Sequence, residues 1–554
     1  MEIIHLSVID WAILLVYIGF IVWMGFYLKR YTNSDEDFFL AGRKNSAWVA
    51  GIAFMSANMG AMEVIGYAGQ SVKYGLYAAH FYLIGAIPAM LFLGVFMMPF
   101  YYKNRIKSIP GYLKERFDEK TRVLNAITFA LMMILVSGIA LYALALVLHT
   151  FVGWNWDLCI WLSAGLVALY VTLSGLLSAI FTEVVQFFLI WAGILLIPIL
   201  GLVDLKNPEQ AFAQIPHMYT AIWSTSATPA ANPMMVSWGG LILGLGFAIG
   251  FGYWTTDFLI IQRAFSAKDL RSAQMTPIIG SYFKLLLGFV VVGSGMLALT
   301  LLHSPHSGFH LLHDGSRVNY DSVIPLLMMR YFPSGMIGLG VTTLVAMFMA
   351  GQAGNMSAFT AVWTYDIYQS VINPDASKER LLWMGRMATM AGIVLSIGGA
   401  YWARSMPTII DFLQAIASFI LAPTAAVILL GMFWKRITAD GAFWGLLLGI
   451  VSSLIMFLAL TFGLITNSTI TPATHASVMA ANFWRAFWAW LIASVGTIVI
   501  SFVTEGKTDE ELKGLVKGLS EEAKPKEDYV YYRKPEFWAT ITLVIFVVLN
   551  IWLW

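Results

Sequence analysis

The chain has 554 residues, of which 59% are hydrophobic and 12% are charged, and its formal net charge is +2. A mean hydropathy of +0.75 excludes an ordinary soluble domain. The near-neutral charge gives no reason to expect a nucleic-acid partner, and the single cysteine, Cys159, cannot form an intramolecular disulfide. These properties predict an integral membrane protein that lies in the lipid bilayer.

Apolar segments of membrane-spanning length recur along the whole chain. The first, residues 6–28, is too long for a signal-peptide core and follows Glu2 without a basic start, so we predict a retained helix. The others lie at about residues 45–71, 77–102, 123–152, 158–177, 180–203, 238–262, 276–303, 336–365, 382–403, 408–434, 440–464, 483–503 and 536–554. The pattern predicts an all-α membrane protein with about fourteen transmembrane helices.

The basic residues indicate how these helices are oriented. When the loops are assigned alternately to two sides, 26 of the 33 Lys and Arg residues fall on the side reached after the first helix. Basic loops favour the cytoplasmic side, so the distribution predicts that both termini lie outside a cell membrane. The charged loop at residues 504–535 would then be cytoplasmic, and no loop is large enough to hold a separate catalytic domain.

Two of the predicted spans contain breaks. In residues 244–263 four glycines weaken the helix directly before Tyr253, Trp254 and Asp257. An Asp at the centre of a span costs about 2.5–3.5 kcal/mol on insertion scales, so Asp257 must face protein or a water-filled cavity. The second span carries a similar break, SANMGAME, at residues 56–63. Interrupted helices at matching places in two halves are typical of transporters built on an inverted repeat, with the solute between the breaks.

At these residues the chain resembles the sodium/solute symporter family, and its sodium/glucose cotransporter branch in particular. The resemblance rests on YWTTDFLIIQRAFSAKDLRSAQ at 253–274 and ILLGMFWKRITADGAFWG at 428–445, with support from SANMG at 56–60, FTEVVQ at 181–186 and TYDIY at 364–368. It implies fourteen helices around a five-plus-five inverted repeat, as in amino-acid/sodium symporters, with alternating access to a central sugar site. The parts would be an extra helix at 6–28, a core at 45–434 and additional helices at 440–554.

The resemblance implies a set of sugar-binding residues. The positions that match the branch are Asn58, Tyr253, Trp254, Lys284 and Gln414. Two positions depart from it, since Glu63 stands where the branch has a histidine or glutamine and Tyr82 stands where it has a glutamate. A carboxylate has thus moved from one wall of the expected cavity to another. We expect all seven residues to contribute to the substrate site.

Several of these residues also have structural explanations. Lys284 and Asp257 could neutralise one another as a buried pair. Tyr253 and Trp254 could pack between helices, and Gln414 could repair hydrogen bonds in a kinked helix. Asn58 and Glu63 stand about 140° apart on an unbroken helix, so both reach one cavity only if the helix unwinds between them.

The cation site implied by the resemblance departs further. The paired serines of the family correspond to Ala350 and Gly351, which carry no hydroxyl. Carbonyls near Ser56, Met59 and Met347 could remain as ligands, but a hard cation needs several oxygens. Glu183, where the family usually has an aspartate, could accept protons or cap a helix start. Na⁺ and H⁺ both stay open as the coupling ion, no other cofactor is expected, and we hypothesise facilitated or proton-linked rather than sodium-driven transport.

The leading function is a carrier for a monosaccharide such as glucose or galactose, or for a similar polyol. Amide, carboxylate and ammonium groups beside an aromatic surface suit a solute with many hydroxyls. A sensor that binds the solute without moving it and a channel-like leak remain alternatives. The chain has no H-E-x-x-H, no G-x-S-x-G and no phosphate-binding loop, so an enzyme is not expected.

Overall fold

The computed structural model describes residues 6–28, 44–104, 109–173, 176–205, 207–224, 226, 228–406, 408–519 and 530–553. Within these ranges ten helices are long and apolar enough to cross a membrane, or eleven if the bent pair around Asp257 is one span. Three shorter apolar helices accompany them. Each predicted segment contains helix, so the all-α membrane fold is confirmed, whereas the total of about fourteen spans stays a prediction.

The helices follow one another in chain order. The first ten are α1 (Val8–Leu28), α2 (Ala47–Asn58), α3 (Ala61–Tyr74), α4 (Leu83–Phe92), α5 (Met98–Lys103), α6 (Ile109–Arg116), α7 (Glu119–Val152), α8 (Trp156–Leu173), α9 (Leu176–Asp204) and α10 (Pro208–Phe212). The rest are α11 (Phe251–Thr256), α12 (Phe258–Phe265), α13 (Leu270–His303), α14 (Val323–Tyr331), α15 (Met336–Ala361), α16 (Lys378–Ser405), α17 (Ile409–Phe433), α18 (Ala439–Thr461), α19 (Asn467–Ile470), α20 (Val478–Val503) and α21 (Pro535–Trp552).

Less regular segments join these helices. Leu93–Met97, Gly240–Gly250 and Val362–Ile372 form π-helix, while Gly75–Phe81, His217–Tyr219, Tyr320–Ser322, Lys517–Leu519 and Tyr531–Arg533 form 3₁₀-helix. The strands β1 (Leu312–Asp314) and β2 (Arg317–Asn319) pair antiparallel in the loop before α14. In the charged loop, residues 504–519 are described, and they pack on α6, where the Tyr112 hydroxyl donates to the Leu515 carbonyl at 3.0 Å.

The first interruption separates α2 from α3. Met59 has φ −77° and ψ 54°, and Gly60 has φ −73° and ψ 160°, so both leave the helical conformation. Because the helix unwinds here, the side chains of Asn58 and Glu63 are released from their separation of about 140°. The break predicted between these two residues is confirmed.

The second interruption lies at Asp257 and not among the glycines. Asp257 has φ −72° and ψ 113°, and the helical parts on its two sides, Gly240–Thr256 and Leu259–Phe265, meet at a bend of 51°. The Asp257 Oδ1 atom accepts a hydrogen bond from the Leu259 amide at 2.9 Å and so caps α12. The carboxylate at the break ends one helix and starts the next, and the expectation that the glycines themselves break it was wrong.

The glycines before this break serve close packing instead. A Cβ added at Gly244 would lie 2.4 Å from the Phe483 carbonyl oxygen of α20, and one at Gly250 would lie 2.6 Å from the Gly85 oxygen of α4. One added at Gly252 would lie 2.8 Å from the Leu421 oxygen of α17. Small residues allow helix backbones to approach closely within a membrane. We name Gly244, Gly250 and Gly252 the glycine stripe.

Candidate functional site

A cavity lies between the two interrupted helices. Its volume is about 110 Å³. On the same measure a single water molecule needs about 10–15 Å³. Six of the seven residues predicted for the substrate site line it, namely Asn58, Glu63, Tyr253, Trp254, Lys284 and Gln414. The structure thus brings together residues that lie far apart in the sequence. Tyr82 is not among the lining residues, although it contacts one of them.

Lys284, in the middle of α13, is the centre of the polar network. Its ammonium group forms an ion pair with Glu63 and donates to the Asn58 Oδ1 atom at 2.5 Å. The Asn58 amide in turn donates to the Tyr253 hydroxyl at 2.6 Å. Both Lys284 and Glu63 are buried, so each charge depends on the other for its stability. One hydrogen-bonded chain therefore joins the two broken helices through α13.

Aromatic rings surround this ammonium group. The Lys284 Nζ atom lies 5.2 Å from the ring centre of Tyr82 and 5.2 Å from that of Trp254, both within cation–π range. Trp254 also stacks on Phe54 at 5.8 Å and meets Tyr253 edge-on at 5.2 Å. Tyr82 thus supports the position of Lys284, while Trp254 and Tyr253 present an aromatic wall to the cavity.

Gln414 approaches the cavity from α17. Its side chain is 3% exposed, and its Oε1 atom has no hydrogen-bond partner among the described residues. Buried polar atoms in proteins are nearly always paired, so an unpaired amide oxygen at a cavity indicates a position for a ligand or water. This observation favours a site role for Gln414 over the repair of a kinked helix.

The proposed Lys284–Asp257 pair is wrong. Lys284 pairs with Glu63, and Asp257 caps α12 while lining the same cavity. The sequence did not reveal the Lys284–Glu63 pair, because the two residues are 221 positions apart. The expectation that Asp257 faces protein or a cavity is confirmed.

The residues expected near a cation lie in different surroundings. Met347 and Gly351 line the cavity, whereas Ser56, Met59 and Ala350 are buried beside it. The Ser56 hydroxyl has no hydrogen-bond partner within the described part of the chain. Among the described residues no group of three or more His, Cys, Asp or Glu side chains could hold a metal ion.

Glu183 belongs to a separate ion pair. It lies well inside α9 and not at its start, so its interpretation as a helix cap was wrong. Its carboxylate accepts from the Arg263 guanidinium at 2.5 Å, and both side chains are buried. Asn355, which the sequence analysis did not single out, lines the cavity one helical turn after Gly351.

Comparison with known proteins identifies the family. The model of the sodium:solute symporter family matches residues 38–449, which is more than half of the chain. The chain belongs to the sodium:solute symporter family. Its relatives are transporters and not enzymes, and we therefore describe it as a multi-pass membrane symporter. The family resemblance found in the sequence is confirmed.

Several known cotransporters match most of the chain. It is 27% identical to human sodium/glucose cotransporter 4, over 89% of this chain and 75% of that protein. It is 27% identical to the sodium/glucose cotransporter of Vibrio parahaemolyticus, over 82% of this chain and 86% of that one. The human sodium/myo-inositol cotransporter is 26% identical over 94% of this chain and 78% of that one.

A solved symporter structure has the same fold. A Na⁺-coupled sialic acid symporter superposes with a TM-score of 0.71 at 18% identity, covering 90% of this chain and 98% of that one. At this identity the likeness concerns the fold alone. It agrees with an inverted-repeat core that contains two broken helices, as the breaks at Met59–Gly60 and Asp257 indicate.

Proposed function

We propose that this symporter carries an uncharged monosaccharide or a related polyol by alternating access. The observation that carries the proposal is the network of Lys284, Glu63, Asn58 and Tyr253 along one wall of the central cavity. An ammonium group has three donors, and Glu63 and Asn58 use two of them. The third donor, the Gln414 oxygen and the aromatic wall offer the mixture of contacts that a ring of hydroxyls needs.

The charges of this wall favour a neutral solute. Lys284 and Glu63 compensate one another, so a bound sugar meets a neutral pair. A carboxylate-bearing solute would be repelled by Glu63, and an amine would compete with Lys284 for it. Hydrogen bonds contribute about 0.5–1.5 kcal/mol each, which suggests roughly millimolar to micromolar binding after ordering costs. A carrier must release its load, and weak binding permits release.

The relatives support this solute class. Three of them are sodium/glucose or sodium/myo-inositol cotransporters, and both solutes are neutral and rich in hydroxyls. Asn58, Tyr253, Trp254, Lys284 and Gln414 match the glucose branch, whereas Glu63 and Tyr82 do not. These matches support the proposal that the solute is a sugar or polyol.

The coupling ion is the second part of the proposal. The family supports Na⁺, yet Ala350 and Gly351 offer no hydroxyl oxygen where paired serines are expected. We propose that a serine-based sodium site is weak in this chain. Sodium-independent or proton-linked sugar transport is the alternative to sodium symport.

Uptake into proteoliposomes tests both parts. Radiolabelled glucose, galactose and myo-inositol are offered under an inward sodium gradient, an inward proton gradient or no gradient, with Lys284→Ala and protein-free vesicles as controls. Accumulation above the outside concentration identifies the coupling ion, and equilibration without a gradient indicates a uniporter. Saturable binding of a sugar without uptake would instead support a sensor. Absence of binding and uptake for all three would contradict the proposed solute class.

A further inference from the structure

Asp257 places a carboxylate in the central cavity without a cation beside it. The side chain is 2% exposed, and it lines the cavity at the break between α11 and α12. Its Oδ1 atom accepts from the Leu259 amide, while no Lys, Arg or His nitrogen of the described residues lies within 4.0 Å of it. A buried carboxylate without a partner is costly, because its charge has lost water and gained no compensating charge.

The nearest basic residue along α12 is already engaged. Arg263 donates to Glu183 at 2.5 Å and to the Leu259 carbonyl at 2.6 Å. Its positive charge is thereby balanced by Glu183, and the guanidinium is held on the side of α12 that faces α9. Arg263 therefore attracts Asp257 only from a distance and does not bind its carboxylate.

Asn355 supplies a second oxygen to the same region. It is 5% exposed, lines the cavity and makes no side-chain hydrogen bond within the described residues. The neighbouring Gly354 packs so closely on α12 that an added Cβ would lie 2.6 Å from the Leu259 Cδ1 atom. The segments that carry Asn355 and Asp257 are therefore in direct contact.

We propose that Asp257 and Asn355 bind a monovalent cation, a proton or a sodium ion, at the end of the cavity next to the Arg263–Glu183 pair. A sodium ion is ligated by the carboxylate and by the Asn355 amide oxygen, with water or backbone oxygens completing its shell. A proton converts the carboxylate to an acid that donates to the same amide oxygen. In both cases one positive charge neutralises Asp257.

This site rests on the proposed cation-coupled transport and gives it a location. It differs from the serine site of the family, because neither Asp257 nor Asn355 was expected to hold the ion. Of the other charged side chains described around the cavity, Glu63 is compensated by Lys284 and Glu183 by Arg263. Among the described residues that line the cavity, Asp257 is the carboxylate without an ion-pair partner, so it can gain or lose a cation during the transport cycle.

Cation binding to the purified full-length protein tests the site without any sugar. The probe is ²²Na⁺, measured by scintillation proximity at pH 6 and pH 8, together with proton release when unlabelled NaCl is added. Asp257→Asn removes the charge but keeps a good helix cap, so the fold is retained. Asp269→Asn is the matched control, because Asp269 caps α13 in the same way from an exposed position.

A sodium site predicts saturable ²²Na⁺ binding that weakens at least tenfold in Asp257→Asn and in Asn355→Leu but not in Asp269→Asn. A proton site predicts little ²²Na⁺ binding in any variant. Sugar uptake driven by a pH gradient is then lost in Asp257→Asn and kept in Asp269→Asn. Unchanged sodium affinity and unchanged pH dependence in Asp257→Asn would overturn the site. Binding of tritiated sugar is measured separately. It distinguishes failure of the cation site from failure of the proposed solute class.

Discussion

Lys284 and Glu63 form a buried ion pair between α13 and the first helix after the break at Gly60. The resemblance to the glucose branch implies a glutamate at the position of Tyr82, whereas the carboxylate that pairs with Lys284 in this structure is Glu63. Tyr82 instead places its ring 5.2 Å from the Lys284 nitrogen.

Removal of Lys284 tests this arrangement first. Lys284→Ala should abolish sugar uptake, and it should destabilise the protein by about 3–5 kcal/mol because Glu63 is left buried without a partner. Adding Glu63→Gln should recover much of the thermal stability without restoring uptake. Thermal unfolding of the purified variants, together with uptake assays, checks both expectations. Unaltered uptake by Lys284→Ala would reduce Lys284 to a structural partner.

Glu63→Gln alone should weaken sugar binding. A hydrogen bond to a charged group contributes about 1.5–3 kcal/mol, so the half-saturation concentration should rise about tenfold or more. The variant retains a side chain of the same length, which limits changes in packing. Equilibrium binding of tritiated sugar gives the affinity independently of coupling. An unchanged value would remove Glu63 from the sugar contacts.

Restoring the serine pair tests the expected sodium site. A Cβ added at Gly351 would lie 3.7 Å from the Gly60 Cα atom, which is an ordinary contact, so Gly351→Ser fits without strain. Combined with Ala350→Ser, it should add two hydroxyl ligands and increase sodium-dependent uptake. Sugar uptake over a range of sodium concentrations measures the effect. The pair Gly351→Ala with Ala350→Ser controls for bulk at position 351 without a hydroxyl there.

A further ion pair, between Lys73 and Asp411, joins α3 to α17. Lys73 at the end of α3 contacts Asp411 at 2.9 Å, and the neighbouring Gln70 donates to the Thr408 hydroxyl at 2.6 Å. Asp411 is one turn before Gln414. Loss of the ion pair in Asp411→Asn should shift the conformational equilibrium by about 1–3 kcal/mol towards a state in which the cavity is open on the side of Lys73 and Asp411.

Cysteine labelling can detect this opening, because the single native cysteine, Cys159, is buried. Gln414→Cys should react roughly tenfold faster with a membrane-impermeant thiol reagent when combined with Asp411→Asn. The combination with Asp440→Asn, an exposed acid at the start of α18, should react at the original rate. Equal rates in all three proteins would show that the Lys73–Asp411 pair does not hold this end closed.

The sequence predicted the membrane class and the first break because these depend on local composition. Hydropathy, the short polar interruption at residues 56–63 and the motifs around Tyr253 all act over a few turns. Through the resemblance it also predicted six residues of the substrate site that line the cavity. The partner of Lys284 could not be predicted, because Glu63 meets it only after the helix unwinds at Met59 and Gly60.

The position of the second break escaped prediction for a related reason. Glycine lowers helix stability in isolation, so the run before Tyr253 suggested an interruption. In the folded chain neighbouring backbones pack against Gly244, Gly250 and Gly252. The position of the break is fixed instead by the carboxylate of Asp257, which caps α12. Asn355 gave no sequence signal beyond its spacing of one turn from Gly351, and its connection with Asp257 rests on the shared cavity and on the close packing of Gly354 against Leu259.

The glycine stripe has a mechanical consequence. Where Gly244, Gly250 and Gly252 meet α20, α4 and α17, main chain lies against main chain, with no side chain that could change its rotamer to absorb a shift. We therefore expect the stretch before Asp257 to be stiff towards these neighbours and to move together with them. We expect any bending that accompanies solute release to occur at Asp257, where the two helical parts already meet at an angle. Asp257 would then act as a hinge between them.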